Sequence, residues 1–426
     1  MSRKKRSSRR SPDRKLISVI MLFFFSAFLL VSLKGTIHFQ GLVLAFVVPV
    51  LIYISTLWLP RFFPADKLLL AIANFLCALG VLILYSTDQG AGTSRGLQQT
   101  IFYGAGILAM LFCILLVRYV RRWKFIITLI MVGGALFLAL PSLIGSEQYG
   151  AINWIVIGSV SMQPSELVKL ALLLVLSYYM SEHRSIPWLL FTLFSLAILM
   201  QQRDLGTALI YYTTTLFLFY ASTGNLPLTG LGVLGGVGAS ILGYQMFAHV
   251  KKRVAIWRNP WIYYETSGYQ IVQMLMAISS GGLFGVGLGL GSPRTIPVYF
   301  TDCIFAVICE QFGIIFGVLI LIMYVILIIR GTSIATAARS GFHSLLAMGC
   351  TVILGIQTFV IIGGVLKLIP LTGVTMPFVS YGGTSMVSCL GITGLLQGVA
   401  SINQSDLEYD YEISHSLQEE NALPEA

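Results

Sequence analysis

The sequence predicts an all-α polytopic membrane protein of about twelve transmembrane helices with a large extracytoplasmic loop, and three observations carry that prediction. The chain of 426 residues is 56% hydrophobic and only 10% charged, a balance that suits a bundle of lipid-facing helices rather than a soluble domain. The apolar residues fall in blocks near the ~20 residues that a helix needs to cross a bilayer. Polar groups concentrate between the blocks in four stretches, 150–169, 201–207, 251–302 and 367–385.

The expected spans are 16–33, 40–59, 68–86, 98–117, 124–142, 164–181, 187–200, 206–222, 227–248, 303–329, 343–366 and 384–402. An even number returns the C-terminus to the starting side and places all four polar stretches on the opposite face. Ionisable groups at membrane depth cost about 2.5 to 3.5 kcal/mol each, so that shared face is where chemistry is sought. The first span has a basic flank like a signal peptide but runs through Leu33 and Lys34 without a small-residue cleavage site, so it stays as the first helix.

The net charge of +10 does not read as a nucleic-acid surface, because eight basic residues lie within Arg3 to Lys15, just before the first span. With the N-terminus cytoplasmic, inside segments hold 17 Lys and Arg and outside loops hold 9, Lys169 lying within a span. The positive-inside rule favours this orientation, with both termini cytoplasmic. Five of the nine outside charges sit in the loop 249–302 and call for a reason other than topology. The six cysteines lack metal-ligand spacing, and neither a disulfide framework nor a dedicated metal site is indicated.

Residues 271–290 are apolar enough to suggest a thirteenth crossing, but five glycines in their second half point instead to a half-buried or re-entrant segment. The last 23 residues hold seven acids and no Lys or Arg, and read as a disordered cytoplasmic tail.

Candidate groups follow in order. Gln163-Pro164-Ser165-Glu166-Leu167-Val168-Lys169 opens the sixth span with proline at a helix start, and Glu166 and Lys169 share a face at i,i+3. They read as a structural ion pair or as site residues. Arg203 and Asp204 sit in a short outer turn, where a structural pair is the plainer reading. Lys251, Lys252, Arg253 and Arg258 alternate with Trp257, Trp261, Tyr263 and Tyr264. That pattern suits either anchoring in the headgroup zone or capture of a phosphorylated lipid headgroup by paired Arg donors.

Asp302 precedes the tenth span, where it reads as an N-cap or as a base. Glu310 lies eight residues on, ~12 Å along a helix, too far to share a proton with it. The segment 363–385 is too rich in Gly, Pro and hydroxyls for a lipid-exposed helix and too apolar for a free loop, so it is expected to line a protein cavity with Lys367 facing it.

On these residues the chain resembles the bacterial SEDS proteins (shape, elongation, division and sporulation), the family of RodA, FtsW and SpoVE. The resemblance rests on Gln163-Pro164-Ser165-Glu166, on Asp204-Leu205-Gly206-Thr207, and on Arg253 with Asn259-Pro260-Trp261 and Gly268-Tyr269-Gln270. It continues in Thr301-Asp302 with Ile304-Phe305-Ala306 and in the signature from Pro370-Leu371-Thr372-Gly373 to Tyr381-Gly382-Gly383-Thr384-Ser385. These motifs cover about residues 68–402 in the family's order.

The resemblance implies a peptidoglycan glycosyltransferase of the bacterial cytoplasmic membrane that polymerises lipid II outside it, beside a class B penicillin-binding protein, in elongation, division or sporulation. It assigns the catalytic acid to Asp302, in place of the N-cap reading. Substrate contacts then fall to Arg253, Arg258, Lys367, Glu166, Lys169, Asp204, Ser380, Tyr381, Gly382, Gly383 and Thr384, and no cofactor is implied beyond a divalent cation that the substrate pyrophosphate could carry. The family usually has ten spans, which divides the chain into a basic tail 1–15, two additional helices 16–59, a core 60–403 and an acidic tail 404–426. Asn153 stands where many members have Arg, Arg203 where Pro is usual, and Gln311 where a second acid is common. A flippase for lipid-linked precursors is the alternative, but it calls for polar groups reaching both membrane faces.

Overall fold

The structure is a computed structural model that describes residues 12–33, 39–89, 93–120, 123–148, 151–158 and 160–421. Most of the basic tail, Lys34, Arg121, Arg122, Gly150 and residues 422–426 lie outside them. Helices α1 (Pro12–Ser32) and α2 (Phe39–Tyr53) form an N-terminal hairpin, and α2 runs on through a π turn at Ile54–Trp58. Then come α3 (Lys67–Asp88), α4 (Arg95–Tyr119), α5 (Trp123–Ala139) and the short α6 (Pro141–Ile144). A small antiparallel sheet follows, β1 (Ser146–Gln148), β2 (Ala151–Ile157) and β3 (Val160–Met162), in the order β1-β2-β3.

The chain continues through α7 (Pro164–Ser181), α8 (Ser185–Gln201), α9 (Leu205–Thr223), α10 (Leu226–Met246), α11 (Ala248–Arg258) and α12 (Tyr269–Gly281). It ends with α13 (Ile304–Phe312), α14 (Ile314–Ala337), α15 (Gly341–Val365) and α16 (Gly383–Asn421). Among the described residues nine helices are long and apolar enough to cross a membrane. Helices α7, α8 and α9, of 18, 17 and 19 residues, occupy the sixth to eighth expected spans.

Local chemistry sets the helix ends. Asp66 caps α3 by accepting from Leu69 N at 2.9 Å, and Asn225 caps α10 by accepting from Leu228 N at 3.0 Å. Pro164 starts α7 at a position where a missing N–H costs nothing. Helix α3 and the apolar first half of α16 are largely buried at the centre of the bundle, whereas α10 has no buried residue.

One end of the bundle is clasped by polar contacts. Arg330 pairs with Asp66, whose backbone N–H and C=O are both held by Gln397 at 2.9 Å. At the other end Ser86, in the last turn of α3, donates to Gln311 Oε1 at 3.3 Å. Those contacts set α14 beside α3 with Ile314 level with the last turn of α3. The expected span 303–329 is therefore corrected: the chain breaks at Gly313 (φ 86), the membrane-crossing helix is α14, and the nine-residue α13 belongs to the outer loop. A left-handed φ of this kind suits glycine, which is why an apolar run long enough to read as one helix divides there.

Segment 271–290 resolves into the 13-residue α12 and a glycine turn. That helix is ~20 Å long, too short to cross. The turn folds back on α13, with Val286 N donating to Glu310 O and Ile314 N to Gly282 O, both at 2.9 Å. The sheet was not expected in an all-α chain. Its central strand, Ala-Ile-Asn-Trp-Ile-Val-Ile, is rich in the β-branched and aromatic residues that suit a pleated surface. The acidic tail is likewise corrected: α16 continues to Asn421 through a stretch without Gly or Pro, and Arg339 pairs with Asp406 at 3.8 Å and with Asp410.

The N-terminal hairpin docks on α3 through polar contacts. Ser55 donates to Asn74 Oδ1 at 2.9 Å, Gln89 donates to Val31 O at 2.8 Å, and Ser32 meets Tyr85 OH at 3.3 Å. Asn74 keeps Tyr103 and Leu70 O as partners without the hairpin. A chain beginning near Arg61 is therefore expected to insert and fold, with a lower thermal midpoint than the full chain; aggregation or failed insertion would show that the hairpin is part of the core. Asn259 follows Trp257, which bonds Lys367 O in the α15–α16 connection, whereas Ser340 follows α14 beyond the Arg330–Asp66 pair, so the two lie at opposite ends of the bundle. With cytoplasmic termini, single cysteines in a cysteine-free background should react with an impermeant thiol reagent on intact wall-stripped cells at position 259 and stay unlabelled at 340.

Candidate active site

The end of the bundle opposite Asp66 holds a cavity of about 410 Å³ lined by residues from all four polar stretches. Strand β2 contributes Asn153, the start of α7 Gln163 and Glu166, the α8–α9 turn Arg203 and Asp204, and α11 contributes Arg253. Gln270, Thr301 and Asp302 come from the outer loop, Thr372, Tyr381 and Gly382 from the α15–α16 connection, and Thr384 from the start of α16.

The α15–α16 connection dips into the bundle and sets the position of the acid. Gln99 of α4 donates to Ser380 O at 2.9 Å and accepts from Gly382 N at 3.2 Å. The Ser380 hydroxyl donates to Thr301 O at 2.5 Å, and Tyr381 N donates to Phe300 O at 2.8 Å. The descent needs Gly80, because a Cβ there would lie 2.3 Å from Val379 O. Ser380 thus does not line the cavity; it holds the turn that carries Asp302.

Asp302 is half-buried, its carboxyl enclosed by protein except toward the cavity. It is not a helix cap: α13 starts after Cys303, with no side-chain cap bond. Asp302 Oδ1 accepts from Thr301 Oγ1 at 3.1 Å and from Cys303 Sγ at 3.7 Å. Burial pushes this carboxyl above the ordinary carboxylate range, opposed by those hydrogen bonds and by the Arg253 charge. Arg253, at the cavity rim, donates to Thr372 O at 3.1 Å. Burial lowers its pKa, while the charges of Asp302 and Asp204 act to raise it.

Asp204 lines the cavity but is saturated. Its Oδ2 accepts from Asn153 Nδ2 at 2.7 Å, Gln163 Nε2 at 3.0 Å and Ser165 Oγ at 3.3 Å, and its Oδ1 caps α9 through Thr207 N at 3.1 Å. Asp204 is thus structural, but through Asn153, Gln163, Ser165 and Thr207 rather than through the Arg203 pair that the sequence suggested. Asn153 supplies a neutral donor to that carboxylate. Glu166 lines the cavity with Oε1 held by Lys169 Nζ at 2.8 Å, while Lys169 also donates to Gln357 Oε1 at 2.9 Å and is buried behind the wall. Asn153 Oδ1, Glu166 Oε2 and Thr372 Oγ1 are buried acceptors without a protein partner in that same wall.

Three further expectations change. Lys367 does not line the cavity: it follows the C-cap of α15 with a left-handed φ of 60, and its carbonyl accepts from Trp257 Nε1 at 3.0 Å. Arg258 is exposed outside the lining. Gly383 packs on the Phe102 ring where α16 begins. Arg203, Gln270, Thr301 and Thr372 join the site; all four stand in turns and motifs noted in the sequence, but none of them was assigned to the site on that basis. Gln99 was also missed, and a glutamine inside an apolar span was the signal for it.

Comparison with known proteins identifies the family. The family model described as "Cell cycle protein" (FtsW, RodA, SpoVE) matches residues 66–405. Peptidoglycan glycosyltransferase RodA of Mycobacterium tuberculosis is 34% identical over 361 residues, which cover 77% of this chain and 76% of that protein. Stage V sporulation protein E of Bacillus subtilis is 33% identical over 357 residues, 79% of this chain and 96% of that one. Among solved structures, a chain of a peptidoglycan synthase complex aligns with a TM-score of 0.67 at 26% identity, covering 80% of this chain and 98% of that chain. RodA of Thermus thermophilus aligns with a TM-score of 0.58 at 27% identity over 80% and 98%. The matched segment begins at the cap of α3, leaves out α1 and α2, and includes every element that lines the cavity, and on this ground the chain belongs to the FtsW/RodA/SpoVE family.

Proposed function

We propose that the chain is a peptidoglycan glycosyltransferase that joins lipid II units into glycan strands on the outer face of the bacterial cytoplasmic membrane, with Asp302 as general base. The observation that carries this reading is the cavity itself, where the Asp302 carboxylate shares the lining with the cations Arg253 and Arg203 at a single end of an apolar bundle. Single-sided placement favours an enzyme over a flippase. The names of the related proteins support the same activity.

The chemistry follows from these groups. Asp302 takes the proton from the attacking sugar hydroxyl as that oxygen bonds to the anomeric carbon of the lipid-linked unit. The bond from that carbon to the pyrophosphate oxygen breaks, and the lipid pyrophosphate leaves with the electron pair. Arg253 and Arg203 offset its charge, so it departs without protonation. Asp302 Oδ1 is committed to Thr301 and Cys303, which leaves Oδ2 as the proton acceptor. A class B penicillin-binding protein as partner is supported by the likeness to a chain of a peptidoglycan synthase complex.

Purified protein given lipid II in detergent, where there are no leaflets to move between, should form glycan chains, with its penicillin-binding partner present. Asp302→Asn keeps the volume and removes the base, so polymerisation should fall about 100-fold or more with thermal stability retained. Normal polymerisation by that variant would return Asp302 to a structural role, and no polymer from wild type with any partner would favour the flippase. The pH profile is a separate check. Because the Asp302 carboxyl is raised, activity should fall as pH drops through a value above the ordinary carboxylate range. Since Arg253 lowers that carboxyl, Arg253→Ala should move the acid limb of kcat/KM to still higher pH; an unmoved limb would remove Arg253 from the site.

A further inference from the structure

Arg95 is the first residue of α4, a place where a cation opposes the helix dipole and gains nothing from the helix. It lies outside the cavity lining and outside every motif that identified the chain. Its guanidinium is nevertheless held on several sides. Nη1 lies 3.2 Å from Asp88 Oδ1, at the end of α3, and 3.2 Å from the Tyr299 hydroxyl. The guanidinium carbon stands 4.1 Å from the centre of the Phe300 ring, within the range of a cation–π contact.

Asp88 is itself fixed. Thr93 Oγ1 donates to its Oδ1 at 2.6 Å and Gly96 N to its Oδ2 at 3.2 Å, and its side chain is only 5% exposed. The Phe300 ring also meets Tyr381 edge-on at a centroid distance of 5.8 Å, and the Phe300 carbonyl is bonded to Tyr381 N. Phe300 is therefore gripped by Arg95 and by the turn that dips into the bundle. Asp302 is two residues on, with only Thr301 between them.

We propose that Arg95 is a positioning residue for Asp302, acting through Phe300 and anchored by Asp88. The inference rests on Asp302 being the base. Its physical content is that a carboxylate on an irregular segment, with no helix or strand of its own, holds its place only if the backbone before it is immobilised. Displacement of a reacting group by about 1 Å is enough to cost about 100-fold in rate.

The test is steady-state polymerisation by the full chain with its partner present. Arg95→Met keeps most of the stem and removes the fork and charge; it should lower kcat by about 100-fold while KM changes less than about 2-fold. Arg95→Lys retains a cation over Phe300 but loses the paired donors, and should recover part of that loss. The acid limb of the pH profile should stay where it is in both variants, because Arg95 is absent from the groups that set the Asp302 carboxyl. That separates positioning from the electrostatic role given to Arg253.

An unchanged kcat in Arg95→Met, with Asp302→Asn inactive, overturns this proposal alone. A rise in KM at constant kcat overturns it too, by making Arg95 a substrate contact. A shifted acid limb overturns it in favour of a direct field effect. An active Asp302→Asn would instead remove the reading on which it rests. If Arg95→Met does not accumulate, Phe300→Leu, which keeps an apolar side chain and loses the ring face, should give the same kcat loss at constant KM, and normal kcat in that variant is again fatal.

Discussion

The descent of Ser380, Tyr381 and Gly382 into the outer end of the bundle is the constraint on which the site depends. A peptide segment without helix hydrogen bonds is tolerated at that depth only when other groups satisfy its N–H and C=O. Gln99 supplies two of those bonds from α4, and the missing side chain of Gly80 gives the segment room against α3. The segment then bonds Phe300 and Thr301, and so fixes the only carboxylate proposed to act chemically.

Around that contact the polar groups divide by how fully the protein satisfies them. Asp204 accepts four hydrogen bonds and serves as a cap; Lys169 is paired with Glu166 and donates to Gln357 behind the wall. Asp302 has one oxygen committed, and Glu166 has one oxygen without a partner. A buried carboxylate that the protein leaves half-satisfied costs free energy on its own, which is the physical reason to look there for substrate contacts.

The outer loop is built to keep such groups in place rather than to cross the membrane. Helix α12 ends at Gly281, the glycine turn folds on α13, and Arg294 donates to Thr87 O and Gln89 O at the end of α3. The loop is thereby tied to the same helix end that carries Asp88 and, through it, Arg95.

The sequence alone determined that the chain is a bundle of apolar helices, that its polar stretches gather at one end, and that Asp302, Arg253, Glu166 and Tyr381 belong together, because hydropathy and motif order are local properties of the chain. The break at Gly313, the sheet around Asn153, the helical tail and the withdrawal of Lys367 and Arg258 from the site were decided only by tertiary structure. Each depends on a partner far away in sequence: Gln311 on Ser86, Ile152 N on Gln202 O, Arg339 on Asp406, Trp257 on the Lys367 carbonyl. Periodicity and composition register what a residue prefers, but whether a cation faces a cavity or ends a helix is set by which distant group reaches it first in three dimensions.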